Sequence, residues 1–327
     1  MIISRTPLRI SYVGGGTDFE DYYKINGGAV VSTTINKYIY VTVNHKFDGK
    51  IHLRYSEIEC VDNLDNLNHN IVREGLRMVG LGKGIEIAII SDIPSQGSGL
   101  GSSSSLCVGL LKALYKYKGY EIPSNALAKK ACELEIEILK APIGMQDHYA
   151  ASYGGFNLIT FLQSGHAEVE NLYQIGNDQR VRWLKNSTML FYLNGRASND
   201  ILRVHKDSIG TKNDVLDSQK MLVRRFVEWI ISEKQKGDCS VGGMITDSWI
   251  CKKQMTPQAT SERIDLIISS ALESGALGAK LCGAGGGGFL MVLCELDKQQ
   301  NVRNVLQELL ELKFTFEGEG AKIIYAE

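Results

Sequence analysis

"PSQGSGLGSSSSL", residues 94–106, packs three glycines and six serines into thirteen positions. Such a run reads as a flexible linker or as a loop whose backbone must approach something negatively charged. The flanks separate the two. Upstream, "GIEIAIISDIP" alternates Ile85, Ile87 and Ile89 with less apolar residues before Asp92 and Pro94 end the run, the period of a strand. Downstream, Leu106, Leu110, Ala113, Leu114 and Tyr117 recur at helical spacing, with Lys112 and Lys116 opposite, and the serines suit the helix start as caps. A strand, a glycine loop and a helix together make an anion cradle, because unpaired amides and the positive helix end point out of the loop. A plain structural turn is the alternative. No Gly-Lys-Ser/Thr follows the glycines and no tight Gly-x-Gly-x-x-Gly opens the helix, so neither a Walker A loop nor a dinucleotide fingerprint is present.

The 327 residues suffice for two domains, and 44% hydrophobic with 22% charged content is that of a water-soluble globular chain. A net charge of −1 supplies no field for nucleic acid or an anionic membrane surface. Seven scattered cysteines without a C-x-x-C pair point to reduced thiols in a cytoplasmic protein, and six dispersed histidines form no zinc pattern. No signal-peptide profile or membrane-length apolar run appears. Strands are expected over 1–13, 29–45 and 190–195, and helices over 69–79, 124–139, 214–236 and 261–274, followed by a strand–helix–strand ending. The irregular mixture favours α+β, with a boundary near 180–190.

Three further stretches carry chemistry. On a wheel of "SNALAKKACELEIEILK", Leu127, Ala128, Ala131, Cys132, Leu134, Ile138 and Leu139 share an apolar arc, and Glu135 falls inside it. A carboxylate there needs a cation or a metal, or sits at an edge. Shortly after, "GMQDH" places Asp147 behind a glycine turn, as a cap or as an acid facing a cleft. In "RTPLRISYVGGGTDF" three glycines stand beside Thr17 and Asp18 after a strand bearing Arg9, either a capped turn or the wall of a pocket for a polyhydroxy ligand. Five glycines between 283 and 288 precede a hydrophobic strand, more than a hairpin needs, and suggest the chain passing tightly against another loop or a ligand.

These motifs, in this order and over nearly the whole chain, resemble the GHMP kinases, the family of galactokinase, homoserine kinase and mevalonate kinase. The resemblance implies a ribosomal-protein-like α/β domain over 1–185, a ferredoxin-like domain over 186–327, ATP as co-substrate and Mg2+. It implies that Gly97, Ser98, Gly99, Leu100, Gly101, Ser102, Ser103 and Ser104 cradle the ATP phosphates, that Ser103 and Glu135 hold the metal, and that Asp147 and Arg9 are catalytic. Gly15, Gly16, Thr17 and Asp18 would bind the substrate, and Gly283, Ala284, Gly285 and Gly286 would lie near the active site. Where galactokinases carry Glu-His before Thr-Asp, this chain has Gly15-Gly16, which removes two sugar-contacting side chains and opens the pocket. In that respect the motifs look like those of the family's heptose 7-phosphate kinases, which phosphorylate an anomeric hydroxyl. Expected partners are a sugar phosphate and ATP, without nucleic acid or membrane, on a monomer or homodimer. A longer sugar's distal phosphate requires a base. Arg196 in "YLNGRASNDILR" is the candidate, between a strand end and an apolar-spaced helix start (Ile201, Val204) behind a Ser198/Asn199 cap.

Overall fold

The computed structural model describes residues 1–94, 97–194, 199–232 and 239–327, with 199, 239 and 240 as backbone only. The first half runs β1 (Ile2–Val13), α1 (Glu20–Asn26), β2 (Gly28–His45), β3 (Ile51–Arg54), β4 (Ile58–Val61), α2 (Asn70–Val79), β5 (Ile85–Ser91), α3 (Ser102–Tyr117) and α4 (Ser124–Cys132). It continues through α5 (Gln146–Tyr153), β6 (Phe156–Phe161), β7 (Ala167–Asn171), α6 (Leu172–Ile175) and α7 (Asp178–Ser187). The second half holds β8 (Thr188–Tyr192), α8 (Asn199–Asp207), α9 (Asn213–Ile231), α10 (Cys239–Met255), α11 (Glu262–Glu273), β9 (Ala276–Leu281), β10 (Phe289–Cys294), α12 (Gln299–Val305), β11 (Leu310–Glu311), β12 (Phe316–Glu317) and β13 (Lys322–Ala326). The fold is α+β.

Among the described residues, nine strands form one sheet, ordered β13-β1-β2-β5-β3-β4, with β12 and β6 also on β2 and β7 on β6. The long β2 is its spine: it pairs antiparallel with β1, β5, β6 and β12 along different stretches. Its alternating residues Ile39, Val41 and Val43 enter the core beneath α3, against Leu110, Leu111 and Leu114. Burying side chains of this size stabilises by about 1.5–3 kcal/mol each. The helix lies unusually close to β1 at Gly109, where a Cβ would stand 2.5 Å from Thr6 Oγ1, and Ser4 Oγ donates to the Gly109 carbonyl at 2.7 Å. That contact fixes the start of α3 relative to Arg9 on β1. A second sheet, β11-β8-β10-β9, has its own core of Phe191, Leu281, Leu290, Val292, Trp249 and Ile268. The expected division at 185/186 falls just before β8, while β12 and β13 return to the first sheet and pair with β2 and β1.

Two local readings change. The helix expected over 124–139 is α only to Cys132; Glu133–Ile138 is a π-helix, closed by Leu139 N donating to Leu134 O. A π turn holds an extra residue, so side chains beyond it rotate off the wheel, and Ile138, expected on the apolar arc, is 45% exposed. The serines of the glycine–serine loop do not cap α3. The cap position is Gly101, left-handed at φ 78°, with no side-chain bond, and Ser102 begins the helix proper. The helix α10 is not among the expected ones; Gly242 lets it press onto β9 at Gly278, where a Cβ would meet the Gly242 carbonyl at 2.2 Å. No helix among the described residues is long and apolar enough to cross a membrane. Cys60, Cys107, Cys132, Cys251, Cys282 and Cys294 are free thiols.

Candidate active site

The phosphate loop is held from two sides. Arg9 N on β1 donates to Leu100 O at 3.0 Å, and Ser98 Oγ reaches Ser102 Oγ at 2.8 Å and the Leu100 amide at 3.3 Å. The glycine motif closes the other side. A Cβ on Gly283 would sit 2.5 Å from the Gly99 Cα, one on Gly99 2.5 Å from Cys282 O, and both residues have positive φ. Phe289 N donates to Ser98 O at 3.0 Å, and Gly286 N to Ala259 O at 2.6 Å beside Ala284 and Gly285. The many glycines are thus explained by loop against loop. With Gly101 capping α3 only through its backbone, the first-turn amides of Ser102, Ser103 and Ser104 receive no side-chain acceptor, the condition for anion binding.

Beside this loop Arg9 and Asp147 form a two-pronged ion pair: Nε to Oδ1 and Nη2 to Oδ2, both 2.6 Å, while Nη1 donates to Gly99 O at 2.7 Å. Gly101 lies against the same carboxylate, where a Cβ would be 3.2 Å from Oδ2. Arg9 is 5% exposed, whereas the Asp147 side chain keeps 20% of its surface. One residue along α5, His148 is fully buried, and its Nε2 meets Glu135 Oε2 at 2.7 Å. Burial alone pushes the imidazole toward neutrality, but Cys132 and the Glu135 carboxylate reverse this and hold its pKa well above the usual histidine value. Glu135 therefore has a cationic partner on one oxygen; its other oxygen has no hydrogen bond among the described residues. Ser103 is exposed on the first turn of α3, and Cys107, one turn on, feels the Glu135 charge. Ser103 and Glu135 lie on elements in contact and carry hard oxygen donors, the type Mg2+ takes.

The glycine turn Gly14–Thr17 forms the third wall. Asp18 is 1% exposed; Oδ1 accepts from Gly16 N at 3.0 Å and Oδ2 from Gln146 N at 3.2 Å, so it ties the turn to the start of α5. Burial, then the charge of Asp147, raises its pKa. Thr17, expected among the substrate-binding residues, is fully buried; its hydroxyl proton is shared between Gly14 O and Ala29 O, and its oxygen accepts from Ala29 N. Two residues that sequence reasoning missed face Gly15 and Gly16. Gln146 Nε2 would be 3.9 Å from a Cβ on Gly15, and His205 Nε2 on α8 2.6 Å from one on Gly16. Gln146 Oε1 and His205 Nε2 are buried without a hydrogen-bond partner. His205 Nδ1 bonds Thr256 Oγ1 at 3.0 Å, and burial with Lys252 and Lys212 nearby pushes its pKa down to about 3, so the ring is neutral. Lys252, also missed, reaches the Gly283 carbonyl from α10. The buried Lys280 on β9 bonds Tyr12 O at 2.8 Å and Ser248 Oγ at 3.2 Å, and burial pushes its pKa down to about 7. Arg196 lies outside the described residues.

Against known proteins, the model described as "GHMP kinases N terminal domain" matches residues 66–155, and that described as "GHMP kinases C terminal" matches 241–312. The chain is 29% identical over 342 residues to a D-glycero-alpha-D-manno-heptose 7-phosphate kinase of Campylobacter jejuni, spanning 97% of each. It is 24% identical to a galactokinase of Pyrococcus furiosus, covering 96% of this chain and 95% of that one. A solved D-glycero-D-manno-heptose 1-phosphate kinase from Bacteroides thetaiotaomicron superposes with a TM-score of 0.76 over the full length of both chains at 24% identity, a likeness of fold.

Proposed function

The chain belongs to the GHMP kinases, and from that premise we propose that it is an ATP-dependent sugar kinase that transfers the γ-phosphoryl group to O1 of D-glycero-D-manno-heptose 7-phosphate. The observation that carries the acceptor is the pair of unpartnered buried polar atoms, Gln146 Oε1 and His205 Nε2, at the Gly15–Gly16 turn next to Asp18 and Asp147. A polyhydroxy ligand supplies what they lack, since leaving each unsatisfied costs about 1–3 kcal/mol.

The mechanism follows from positions. Backbone amides of the Gly97–Ser104 loop and the start of α3 hold the nucleotide phosphates. Asp147, poised on Arg9, orients the acceptor hydroxyl and takes its proton as the O1–phosphorus bond forms. The Arg9 guanidinium, already aimed at Asp147 and at Gly99 O, stabilises the charge on the reacting oxygens. Ser103 and Glu135 would hold Mg2+, whose chemistry is to neutralise the phosphate charge. His148 orients Glu135, and Asp18 positions α5.

The test is an ADP-release assay over heptose 7-phosphate, galactose and fucose. Heptose 7-phosphate should show the highest kcat/KM by a factor of at least about 100, the discrimination expected when a charged subsite is satisfied. A preference for either free sugar overturns the assignment. Arg196 remains the proposed holder of the distal phosphate. Arg196→Ala should raise KM for the sugar phosphate about tenfold and leave KM for ATP in place; unchanged KM values for both would move that role elsewhere.

A further inference from the structure

Lys252 sits where the two halves of the site touch. It projects from α10 and donates to the carbonyl of Gly283, the residue resting on Gly99 of the phosphate loop. Arg9 donates to the carbonyl of that same Gly99, so two cations, one from β1 and one from α10, grip opposite sides of a single loop-to-loop contact. Arg9 spends its charge on Asp147. Lys252 makes no ion pair among the described residues, and two of its three ammonium protons have no acceptor there. The groups that act on it electrostatically come from every wall: Arg9 on β1, Asp18 after the glycine turn, Asp147 on α5 and Cys282 after β9, with Lys280 on β9 and His205 on α8 in turn sensing its charge. Burial, followed by Arg9, pushes its pKa down to about 8, still mostly charged at neutral pH. A partly buried ammonium beside another cation, with spare donors and no carboxylate of its own, is suited to receive an anion.

We propose that Lys252 is a catalytic residue of this kinase, contacting the phosphoryl group in flight from the side opposite Arg9. In the step it serves, the bond between the γ-phosphorus and the β,γ-bridging oxygen breaks and its electron pair stays on ADP. The new bond joins the acceptor oxygen to phosphorus, and the acceptor proton passes to Asp147. The lysine gains and loses no atoms; it donates hydrogen bonds to the equatorial phosphoryl oxygens as their charge redistributes. A distal phosphate on the acceptor is the less suited anion, because the ammonium stands at the phosphate loop and near Asp147, the reacting end of the cleft.

This inference rests on the reading of the cleft as a phosphoryl-transfer site, and nucleotide binding tests it without reference to the sugar. Titration calorimetry with ATP and with ADP, each with Mg2+, should show Lys252→Met binding ATP about tenfold more weakly while ADP affinity holds, because only ATP carries the contacted group. With heptose 7-phosphate, kcat of that variant should fall by about 100-fold or more, the loss typical of one preorganised donor, and Lys252→Arg should recover part of it. Equal weakening of ATP and ADP, a kcat within threefold of the parent, or an effect confined to KM for the sugar phosphate each overturns the proposal. If Lys252→Met loses ADP binding through misfolding, Lys252→Gln is read against the same outcomes. Parent protein that binds ATP but leaves heptose 7-phosphate untouched sinks the acceptor assignment alone and leaves the nucleotide result standing.

Discussion

Asp147 and His148 are neighbours on α5, each holds an oppositely charged partner from a distant element, and the two pairs live in different media. The Arg9–Asp147 pair borders the proposed cleft, and its carboxylate retains a fifth of its surface. The Glu135–His148 pair is sealed, with neither side chain more than 3% exposed. Successive helix residues point about 100° apart, which is enough to leave Asp147 partly exposed and its neighbour in the core. The cleft pair can exchange its partner for a proton or a hydroxyl. The sealed pair cannot, because separating charges in a low dielectric is costly, so it would serve as a fixed frame for the Glu135 oxygen proposed to meet the metal.

The largest expected effect breaks the cleft pair. Asp147→Asn keeps the shape and removes the base, so kcat should fall by about 10²–10⁴ with ATP affinity nearly unchanged. Turnover near that of the parent would take Asp147 out of the proton transfer. The sealed pair should answer in the opposite currency. His148→Ala leaves Glu135 buried without its cation and should destabilise by about 3–5 kcal/mol in urea unfolding. A loss below about 1 kcal/mol would mean that water or another group already serves Glu135. Glu135→Gln retains a hydrogen-bonding partner for His148 but lowers the charge on the other oxygen. The Mg2+ concentration for half-maximal activity should rise about tenfold, and an unchanged titration would assign Glu135 to the frame only.

The smallest effect concerns a buried charge without any acid partner. Lys280 titrates near 7 in the folded protein and at its ordinary value of 10.5 when unfolded. Between those values the unfolded chain binds the proton that the folded one has lost, so stability contributed at this site rises with pH across that window. Relative to Lys280→Met, the parent should gain roughly 1 kcal/mol per pH unit from about pH 7 to 10, seen in denaturant midpoints. A flat difference would show that Lys280 stays charged on its contacts with Tyr12 and Ser248.

Much of this was legible in the residues. The glycine–serine run between a strand and a helix, the wheel that stranded Glu135 among apolar side chains, and the surplus of glycines after Cys282 each encode a physical demand; the fold answers Glu135 with His148 and the glycines with a loop-to-loop contact. Glu135 announced that a partner existed but not which one. His148 was adjacent to the singled-out Asp147, and its burial depends on how α5 packs under the π turn, a tertiary fact. Lys252 was hidden differently: nothing local distinguishes it from a surface lysine until α10 is pressed onto β9 through Gly242 and Gly278. A hydroxyl beside glycines suits a ligand and a turn equally, and in the fold Thr17 is bonded within the turn.

The wide turn at Glu133–Ile138 also has a genetic consequence. Because a π turn accommodates one residue beyond the α turn it replaces, it is a stored single-codon insertion. Deleting one codon within it would return the segment to α geometry and swing the flanking chain by about 100° per residue removed. The acid before the deletion and the helix after it would no longer face each other across the core. Point substitutions can trade the side chains on either side of this junction, but only a compensating insertion can restore their alignment. Lineages of this fold are therefore expected to part here by length before they part by composition.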